Sequence, residues 1–530
     1  AGADIRLDGL TIKNGRHAGT YGGGGVYFYG GQGGDLTIAN STITNNATTA
    51  GQDGGGVYFR ETGTLTITNS TLSGNFTTGN NATGGGAYVY GGNANITNST
   101  FSGNYTQGQN SHSGGLHIQS NGSVQTINVT NSRFTGNNTQ DGTSYAGAIG
   151  QYGNAGANSA INITNSTISG NNAGASGGGI STYNTSLYAT FSTISGNTAG
   201  NNGGGISSAN AVVGLINSTV SGNNAGGAGG GVYGGAQNIV LYNSTVTLNQ
   251  AATTGGGISG SATTGIGVTN SIVAGNTGTG GGTDIQDGNN PGFGATNSLI
   301  GRNDGTALAA TGGVPGLNNN IVGGGTAGTA VNPLLGALAD NGGPTLTHAL
   351  LANSPAINRG FNGFIAGATS DQRGAPFFRI FGGTVDMGAF EFQPLSITGN
   401  TATFTGTAGI DSFTYNVPIR VVRVGTLAYV LPVNINLVNF DGLANRDLLS
   451  LLGTAGANNA QVTQGGVNFE HDATHAGFDV IGSNLETILL FGQGGADTVT
   501  FTGSAGDDKY FARATSGFML NSTHDLEAFA

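Results

Sequence analysis

The sequence predicts an all-β protein, with a parallel β-helix in residues 1–330 and β-rich repeats in residues 394–530. Three observations lead to this fold class. A repeat of nearly constant length runs through the first part of the chain, apolar and polar residues alternate inside each copy, and a glycine run opens each copy. A fixed period of this size is typical of a solenoid, in which a unit buries its apolar face only by stacking on its neighbours.

Each copy of the repeat ends on an asparagine. The pattern is apolar-x-apolar-x-Asn-Ser-x-apolar-x-x-Asn, and successive copies lie 26 to 34 residues apart. In ten copies the last asparagine is Asn46, Asn75, Asn104, Asn137, Asn171, Asn197, Asn223, Asn249, Asn276 and Asn303. Identical amides stacked at strand spacing can hydrogen-bond from coil to coil. We therefore expect these residues to form an Asn ladder at a buried corner of about eleven coils.

The first asparagine of the pattern allows a second interpretation. It lies in Asn-Ser-Thr sequons, the acceptor motif for N-glycosylation, at Asn40, Asn69, Asn98, Asn165, Asn217 and Asn243. A repeat rich in asparagine, serine and threonine produces such triplets by composition alone. The sequence therefore leaves open whether any of them carries a glycan.

The spacing inside each copy favours strands over helices. In the copy with Ile161, Ile163 and Ile168, apolar residues recur with strand period, and no helical stripe recurs along the chain. Each glycine run is followed by a short β-like segment, as in residues 54–59. Short strands joined by glycine corners, which tolerate positive φ, give a parallel β-helix.

Composition limits the classes of partner. Only 7% of residues are charged, the formal net charge is -11, and Lys13 and Lys509 are the two lysines. Because so few cations cannot neutralise many phosphates, neither nucleic acid nor an anionic membrane is an expected partner. The chain has no cysteine and no apolar run of membrane-spanning length, so we expect neither thiol chemistry nor membrane insertion.

An aromatic surface is predicted on the early coils. If Val26 and Phe28 point inward, strand alternation places two columns of side chains outward. The first column is Tyr27, Tyr58, Tyr88 and His117, and the second is Tyr29, Arg60, Tyr90 and Gln119. Rings at coil spacing with an arginine between them could bind sugar rings or a neighbouring subunit. Tyrosine also suits exposed strands, so the columns could simply stiffen the sheet.

Few residues are candidates for catalysis. Between Asp141 and Asp284 the sequence has no charged residue and no histidine. Enzymes of the β-helix type that cut polysaccharides need paired carboxylates, or a base with a metal or an arginine, on the outer wall. The remaining candidates are His112, His117, Arg133 and Asp141, and we do not expect an enzyme.

Two family resemblances cover roughly residues 5–393. NPLLGALADNGGPTLTHALLANSPAINRG at 332–360, DQRG at 371–374 and VDMGAFEF at 385–392 resemble the choice-of-anchor Q domain that follows β-helices in bacterial surface and secreted proteins. The upstream glycine runs and the Phe-x-x-Asn words at 101–104 and 134–137 resemble polymorphic outer-membrane proteins and autotransporter passengers. These resemblances imply an exported, right-handed parallel β-helix, and they imply no catalytic residue.

Charge is concentrated in the choice-of-anchor Q-like segment, at Asp371, Arg373, Asp386 and Glu391. We expect residues 331–393 to form a cap or extension of the β-helix. The four side chains would form a buried or half-buried ion-pair network that ties this cap to the last coil. An active site is the alternative interpretation.

A second repeat, with a period near 50, fills residues 394–530. GTAGIDSF at 406, GTAGANNA at 453 and GSAGDDKY at 503 align, and GQGGADTVT at 492–500 is similar to the calcium-binding nonapeptide of secreted toxins. Asp497, Asp507 and Asp508 are therefore candidate calcium ligands, although calcium needs six to eight oxygens from successive turns. The last residues match residues 484–492 and stop inside a repeat, so we expect an excerpt of a longer protein.

Three functions are compatible with these features. The first is a structural rod, extracellular or on the cell surface, that continues in a longer chain or polymerises end to end with itself. The second is an adhesin that binds polysaccharide or cells through the tyrosine columns. The third, a polysaccharide lyase or hydrolase, is disfavoured by the charge-free half of the repeat region. We expect the first.

Overall fold

The computed structural model describes residues 2–529 apart from short gaps. The gaps are residues 30–32, 154–157, 289–291, 366, 407–409, 426, 444–446, 455, 457, 464–465, 472–478, 486, 492–497, 503–508, 514–515 and 521–524. The chain divides into two compact units. The first comprises residues 1–339, 343–374 and 379–392, and the second comprises residues 340–342, 375–378 and 393–530.

The first unit is a parallel β-solenoid of ten coils with four strands each, followed by single strands that extend two of the sheets. Sheet A contains Ile5–Asp8, Leu36–Ala39, Thr64–Thr68, Asn93–Thr97, Thr126–Thr130, Ala160–Thr164, Ser186–Thr190, Val213–Ile216, Ile239–Tyr242, Ile266–Thr269 and Gly294–Thr296. Sheet B contains Thr11–Lys13, Thr42–Thr44, Thr71–Ser73, Thr100–Ser102, Arg133–Thr135, Thr167–Ser169, Thr193–Ser195, Thr219–Ser221, Thr245–Thr247, Ile272–Ala274, Leu299–Ile300 and Ile321–Val322.

The other two sheets of the solenoid are built in the same way. Sheet C contains Arg16–His17, Ala47–Thr48, Phe76–Thr77, Tyr105–Thr106, Asn138–Thr139, Asn172–Ala173, Thr198–Ala199, Asn224–Ala225, Gln250–Ala251 and Thr277–Gly278. Sheet D contains Val26–Phe28, Val57–Arg60, Ala87–Tyr90, Leu116–Gln119, Ile149–Tyr152, Ile180–Tyr183, Ile206–Ala209, Val232–Gly234, Ile258–Gly260 and Ile285–Gln286. The predicted fold class is confirmed.

Strands one repeat apart pair in parallel and in register, so equivalent residues form columns along the solenoid. Ile38, Ile67 and Ile96 are one such column in sheet A, and each is completely buried. Each fully buried aliphatic side chain of this kind contributes about 1.5–3 kcal/mol relative to an exposed one. The core is therefore a stack of apolar columns that lengthens with every coil.

The Asn ladder is present and runs from Asn46 to Asn276. In each of the eight steps between these nine residues, Nδ2 of one asparagine donates to Oδ1 of the next at 2.8–3.0 Å. The backbone N–H of the same asparagine donates to that Oδ1 as well, for example from Asn197 to Asn223 at 3.0 Å. Nδ2 also donates to a carbonyl of the preceding coil, as Asn223 does to Ile194 at 3.0 Å. Each amide is thereby satisfied without water.

The prediction for Asn303 is wrong, because its amide donates to the Leu308 carbonyl rather than to the ladder. Asp284 ends the ladder instead, and its Oδ1 accepts from Nδ2 and the backbone N of Asn276 at 2.9 and 3.0 Å. Ile285 pairs with Ile258 of the previous coil. The residues just before them, Asp284 and Gly257, therefore occupy equivalent positions, and Gly257 is the third glycine of its run. A β-carbon on Gly257 would lie 2.8 Å from Asn276 Nδ2. A side chain at this position therefore points into the ladder.

Asp284 makes stability depend on pH. Burial raises the pKa of its carboxyl from 3.8 to about 6, so its favourable contribution is present below pH 3.8 and is lost as the pH rises through about 6. Asp284→Asn should therefore raise the free energy of unfolding by about 2 kcal/mol at pH 8 and have little effect at pH 4. Urea unfolding at the two pH values measures this. Asp141→Asn, at an exposed carboxyl whose hydrogen bonds to Thr143 lower its pKa, is the control and should not reproduce the gain.

The first asparagine of each repeat occupies a left-handed turn between sheets A and B. Asn40, Asn69 and Asn98 have φ of 49°, 49° and 50°, a conformation that asparagine adopts more easily than most residues. These three side chains are exposed, whereas Asn217 and Asn243 are fully buried. A sequon at either buried position is inaccessible to a modifying enzyme in the folded protein.

Residues 343–392 of the first unit lie along the outer face of sheet B, and Leu350, Met387 and Phe390 share a buried cluster with Leu299 and Ile321 of its last strands. Oγ1 of Thr219 donates to Gln372 Oε1 at 2.6 Å, and the Gln372 amide donates to Thr193 Oγ1 at 2.9 Å. His348 Nε2 and Ser221 Oγ are 2.8 Å apart. The outward threonine and serine columns of the seventh to ninth coils therefore anchor the segment. Thr347–Leu350 of this segment pairs antiparallel with the preceding strand Leu335–Ala339. The segment also contains the 3₁₀ turn Asn362–Phe364, and further 3₁₀ turns are Leu317–Asn319 and Ala327–Thr329.

The predicted ion-pair network is present in part, as one buried ion pair between two of the four predicted residues. Arg373 Nη2 and Asp371 Oδ2 are 2.6 Å apart, and both side chains are at most 1% exposed. The carboxyl groups of Asp386 and Glu391 accept backbone hydrogen bonds, and burial raises the pKa of Asp386 to about 6 and that of Glu391 to about 9. The Arg379 guanidinium lies 3.9 Å from Glu391.

The second unit contains two sheets around one core. The first has seven strands in the order Leu395–Thr398, Thr401–Thr405, Leu437–Asp441, Asp479–Ser483, Gly466–His471, Asn458–Thr463 and Thr498–Phe501. The second, sheet H, has eight strands in the order Leu427–Val430, Val421–Val424, Ser412–Asn416, Leu448–Leu452, Thr487–Phe491, Asp525–Phe529, Ser516–Leu520 and Lys509–Arg513.

Parallel neighbours in the second unit are closer in sequence than the predicted period near 50. Asp411 N donates to Asp447 Oδ1 across 36 residues, and Asn484 Nδ2 donates to Asp441 Oδ1 across 43. The GTAG words align by sequence, but they precede strands of different sheets: Ser412–Asn416 in one case and Asn458–Thr463 in the next. The period of the sequence words is therefore longer than the number of residues between neighbouring parallel strands.

Candidate binding surface on sheet D

The two predicted columns stand on the outer face of sheet D in register. Tyr27, Tyr58, Tyr88 and His117 pair in one column, and Arg60, Tyr90 and Gln119 pair in the other. The alternate residues Phe28, Phe59 and Val89 point into the core. Strand alternation alone places these side chains.

The first column is mostly covered, which corrects the expectation of an exposed stripe. Tyr27 is 42% exposed, but Tyr58, Tyr88 and His117 are 9%, 7% and 1% exposed. The glycine-rich loops that precede the sheet D strands lie over these rings. A β-carbon on Gly22 would stand 2.3 Å from Cδ2 of Tyr58, so only glycine allows this approach.

The rings of the first column stack on one another. Ring centroids are 5.5 Å apart for Tyr27 and Tyr58, 5.1 Å for Tyr58 and Tyr88, and 5.4 Å for Tyr88 and His117. The ring of Tyr21 lies 5.7 Å from that of Tyr27, and the two planes are tilted by 39°. Tyr58 and Tyr88 each stack on the rings of both neighbouring coils, so their faces are occupied within the chain. A sugar ring therefore cannot stack on the faces of these two tyrosines.

The second column is the exposed one. Tyr29 is 63% exposed, and the Arg60 guanidinium lies between the rings of Tyr29 and Tyr90, 6.0 and 5.5 Å from their centroids. Arg60 thereby makes cation–π contacts on both sides, each worth about 0.5–1 kcal/mol at an exposed site. This column can present one cation and two phenol groups to a partner.

A half-buried acidic group near the first column, Asp53, was not predicted from the sequence. Asp53 belongs to the loop before Val57–Arg60, and its Oδ1 accepts from the backbone N–H and the hydroxyl of Thr83 at 2.8 and 3.1 Å. Burial raises the pKa of Asp53 to about 6, and burial together with Asp53 raises the pKa of Tyr58 to about 12. Asp53 stands just before a glycine run, and this position is the sequence signal that could have identified it.

The structure brings some of the catalytic candidates together. His112 and His117 are neighbours, with ring centroids 6.4 Å apart, but His117 is buried and its Nδ1 lies 3.0 Å from Ser113 Oγ. Burial lowers the pKa of His112 to about 4, against the opposing effect of the Asp141 charge, and burial together with His112 lowers the pKa of His117 to about 3. Asp141 accepts from Thr143, whereas Arg133 lies on sheet B. Both histidines are therefore neutral at neutral pH.

Metal ligation was predicted only in the second unit. Asp497, Asp507 and Asp508 lie outside the described residues. Among the residues that the structure does describe, no three His, Cys, Asp or Glu side chains are close enough together to hold a metal ion. Within the same residues, no helix has the length and apolarity needed to cross a membrane.

Tyr88→Ala should lower the free energy of unfolding by about 2–3 kcal/mol, because it removes a buried ring from the middle of the stack. Tyr29→Ala, at a ring that is 63% exposed, should lower it by no more than about 1 kcal/mol, the contribution of its cation–π contact with Arg60. Urea unfolding followed by circular dichroism compares the two variants. Equal losses would contradict the assignment of the first column to the structural interior.

Comparisons with known proteins include a distant structural likeness. No protein family and no curated protein matches the chain. Among solved structures, pectate lyase Pel9A matches over 68% of this chain and 88% of its own, with 16% identity and a TM-score of 0.30. A likeness of this size adds no argument about activity or ligand.

Proposed function

We propose that this chain is a non-enzymatic structural rod that is exported to the cell surface or the extracellular space. The observation that carries the proposal is the Asn ladder, in which hydrogen bonds between buried side-chain amides join nine coils. These bonds connect each coil to the next in addition to the strand pairing. A solenoid joined in this way resists local opening, because one coil can open only if it breaks bonds to both neighbours.

The distribution of charge supports the same function. From residue 142 to residue 283 the sequence has no charged residue and no histidine, so this wall offers no general acid, base or cation for chemistry on a bound polymer. Ring faces on sheet D are used for stacking within the chain. Both features favour a structural role over an adhesin that holds sugars on the first tyrosine column.

The finer identity belongs to the same proposal. The motif words in residues 332–392 are similar to the choice-of-anchor Q domain, and the repeat words are similar to autotransporter-like passengers. Both resemblances agree with export. An adhesive role through Tyr29, Arg60 and Tyr90 is the second candidate, because this column combines an exposed ring and a half-buried ring with an exposed cation.

Immunogold electron microscopy tests the proposal. Antibody raised against the intact chain should label the outer surface of unpermeabilised source cells, or extracellular rods or fibres shed from them. Label that appears only after permeabilisation would overturn the proposal. Rods that join end to end would indicate self-assembly, and single projecting rods would indicate a surface protein; both outcomes support export.

A further inference from the structure

The second unit has a groove on the outer face of sheet H with a volume of about 350 Å³. Volumes of this size are typical of small-ligand sites. The groove crosses the five strands Leu427–Val430, Val421–Val424, Ser412–Asn416, Leu448–Leu452 and Thr487–Phe491. Their alternate residues, such as Phe413 and Leu449, fill the core on the other face.

Two rows of side chains with different chemistry line the groove. Val430, Val421, Leu452 and Phe491 belong to a row that is apolar except at Asn416. The parallel row contains Arg423, Thr414 and Ser450, which are cross-strand neighbours. One side of the groove is therefore hydrocarbon, and the other carries a guanidinium beside two hydroxyl groups.

Arg423 is the cation of this groove. Its side chain is exposed, and it makes no ion pair with any of the residues that the structure describes. A cation without an acidic partner beside apolar side chains favours a ligand with an anionic group on an apolar body. The chain as a whole has a formal net charge of -11, so its overall field repels anions and Arg423 must supply the attraction locally.

The geometry points to a single-chain fatty carboxylate as the ligand. Its carboxylate would accept hydrogen bonds from Arg423, Thr414 and Ser450, and its alkyl chain would lie along the apolar row. Three strand steps of about 4.8 Å separate the strand of Arg423 from that of Phe491, which gives about 14 Å for the alkyl chain. Fully extended alkyl chains of intermediate length match this distance.

A peptide fits this surface less well. The groove runs over the face of a sheet, where strand pairing already uses the backbone N–H and C=O groups. An extended peptide crossing it would bury its own backbone groups without partners, which is costly. An alkyl chain has no such groups. A sugar acid would need partners for several hydroxyl groups, whereas six of the ten lining residues are apolar.

Titration of the full chain with dodecanoate below its micelle concentration tests the inference. We expect saturable binding with a negative heat-capacity change and weaker binding of dodecanol, which lacks the charge. Arg423→Gln should weaken dodecanoate binding at least five-fold and leave dodecanol binding unchanged. Val430→Asp, at a groove side chain that is 64% exposed, should weaken both ligands.

Val433→Asp is the matched control, because Val433 is 92% exposed and does not line the groove. It adds the same charge on the same unit and should bind dodecanoate like the wild type. The inference is overturned if dodecanoate does not bind, or if Arg423→Gln and Val430→Asp bind it unchanged. Displacement of dodecanoate by glucuronate, or by a peptide with a free carboxyl terminus, at equal concentration would also overturn it. Circular dichroism of each variant confirms that differences in binding do not arise from unfolding.

Discussion

Asn223→Asp should lower the free energy of unfolding by about 3–5 kcal/mol at neutral pH, the cost of an uncompensated buried charge. Asn223 is fully buried in the ladder. Its Nδ2 lies 3.0 Å from the Ile194 carbonyl and 2.8 Å from Asn249 Oδ1, and it donates to both. An aspartate oxygen in that place would face two acceptors at hydrogen-bond distance, so two attractive contacts become repulsive.

The substitution should also show where the rod opens. Since each coil contacts only its neighbours, we expect faster amide exchange in residues 193–250 and little change in the first coils. Hydrogen exchange with mass spectrometry measures this, and urea unfolding measures the total loss. At acid pH the loss should become smaller, because a protonated carboxyl can again donate a hydrogen bond.

Asn224→Asp provides the control. Asn224 follows Asn223 directly but points outward and is exposed, so the same change of charge should alter stability by no more than about 0.5 kcal/mol. Matching denaturation curves for the two variants would show that the ladder contributes nothing to stability. Such a result would also remove the main support for the structural rod.

The ladder and the sheet D columns could be predicted because both depend on local rules. Alternation decides which way a strand residue points, and a repeated asparagine at constant spacing must stack on itself once the coils are in register. Asn75 and Tyr88 follow from these rules alone. Asp284 could have been identified as well, because it occupies the third position of the glycine run, where the other copies have glycine or, at Ala148, alanine.

The remaining features depend on contacts that spacing does not encode. The burial of Tyr58 depends on the path of the loop at Gly22, and a glycine run permits many paths. Residues 343–392 lie on sheet B because Gln372 reaches threonines about 150 to 180 positions earlier in the chain. The sequence showed the charged residues of that segment but not the surface that receives it.

Arg373→Ala should destabilise the segment on sheet B by about 3–5 kcal/mol, because it leaves the Asp371 carboxylate buried without its cation. The Arg373 side chain donates to Asp371 from Nε and Nη2 at 3.0 and 2.6 Å, and Nη2 also donates to the Glu391 carbonyl at 2.8 Å. Its guanidinium carbon lies 3.7 Å from the centroid of the Phe390 ring. Because these contacts join Asp371 to Glu391 and Phe390, we expect residues 354–392 to exchange amide hydrogens and to be cleaved by proteases much faster than in the wild type.

Two further variants test whether the loss of stability comes from breaking the buried ion pair or from removing any arginine of the segment. Arg359→Ala removes an exposed arginine of the same segment and should leave exchange and proteolysis unchanged.

Asp371→Asn combined with Arg373→Met leaves no bare charge, so it should recover part of the stability lost in Arg373→Ala. The recovery would be incomplete, because Asp371 also accepts backbone N–H groups of Arg373 and Glu391 at 2.9 and 2.8 Å, and an amide accepts these bonds less strongly than a carboxylate. If the double variant is no more stable than Arg373→Ala, the bare Asp371 charge is not the source of the loss.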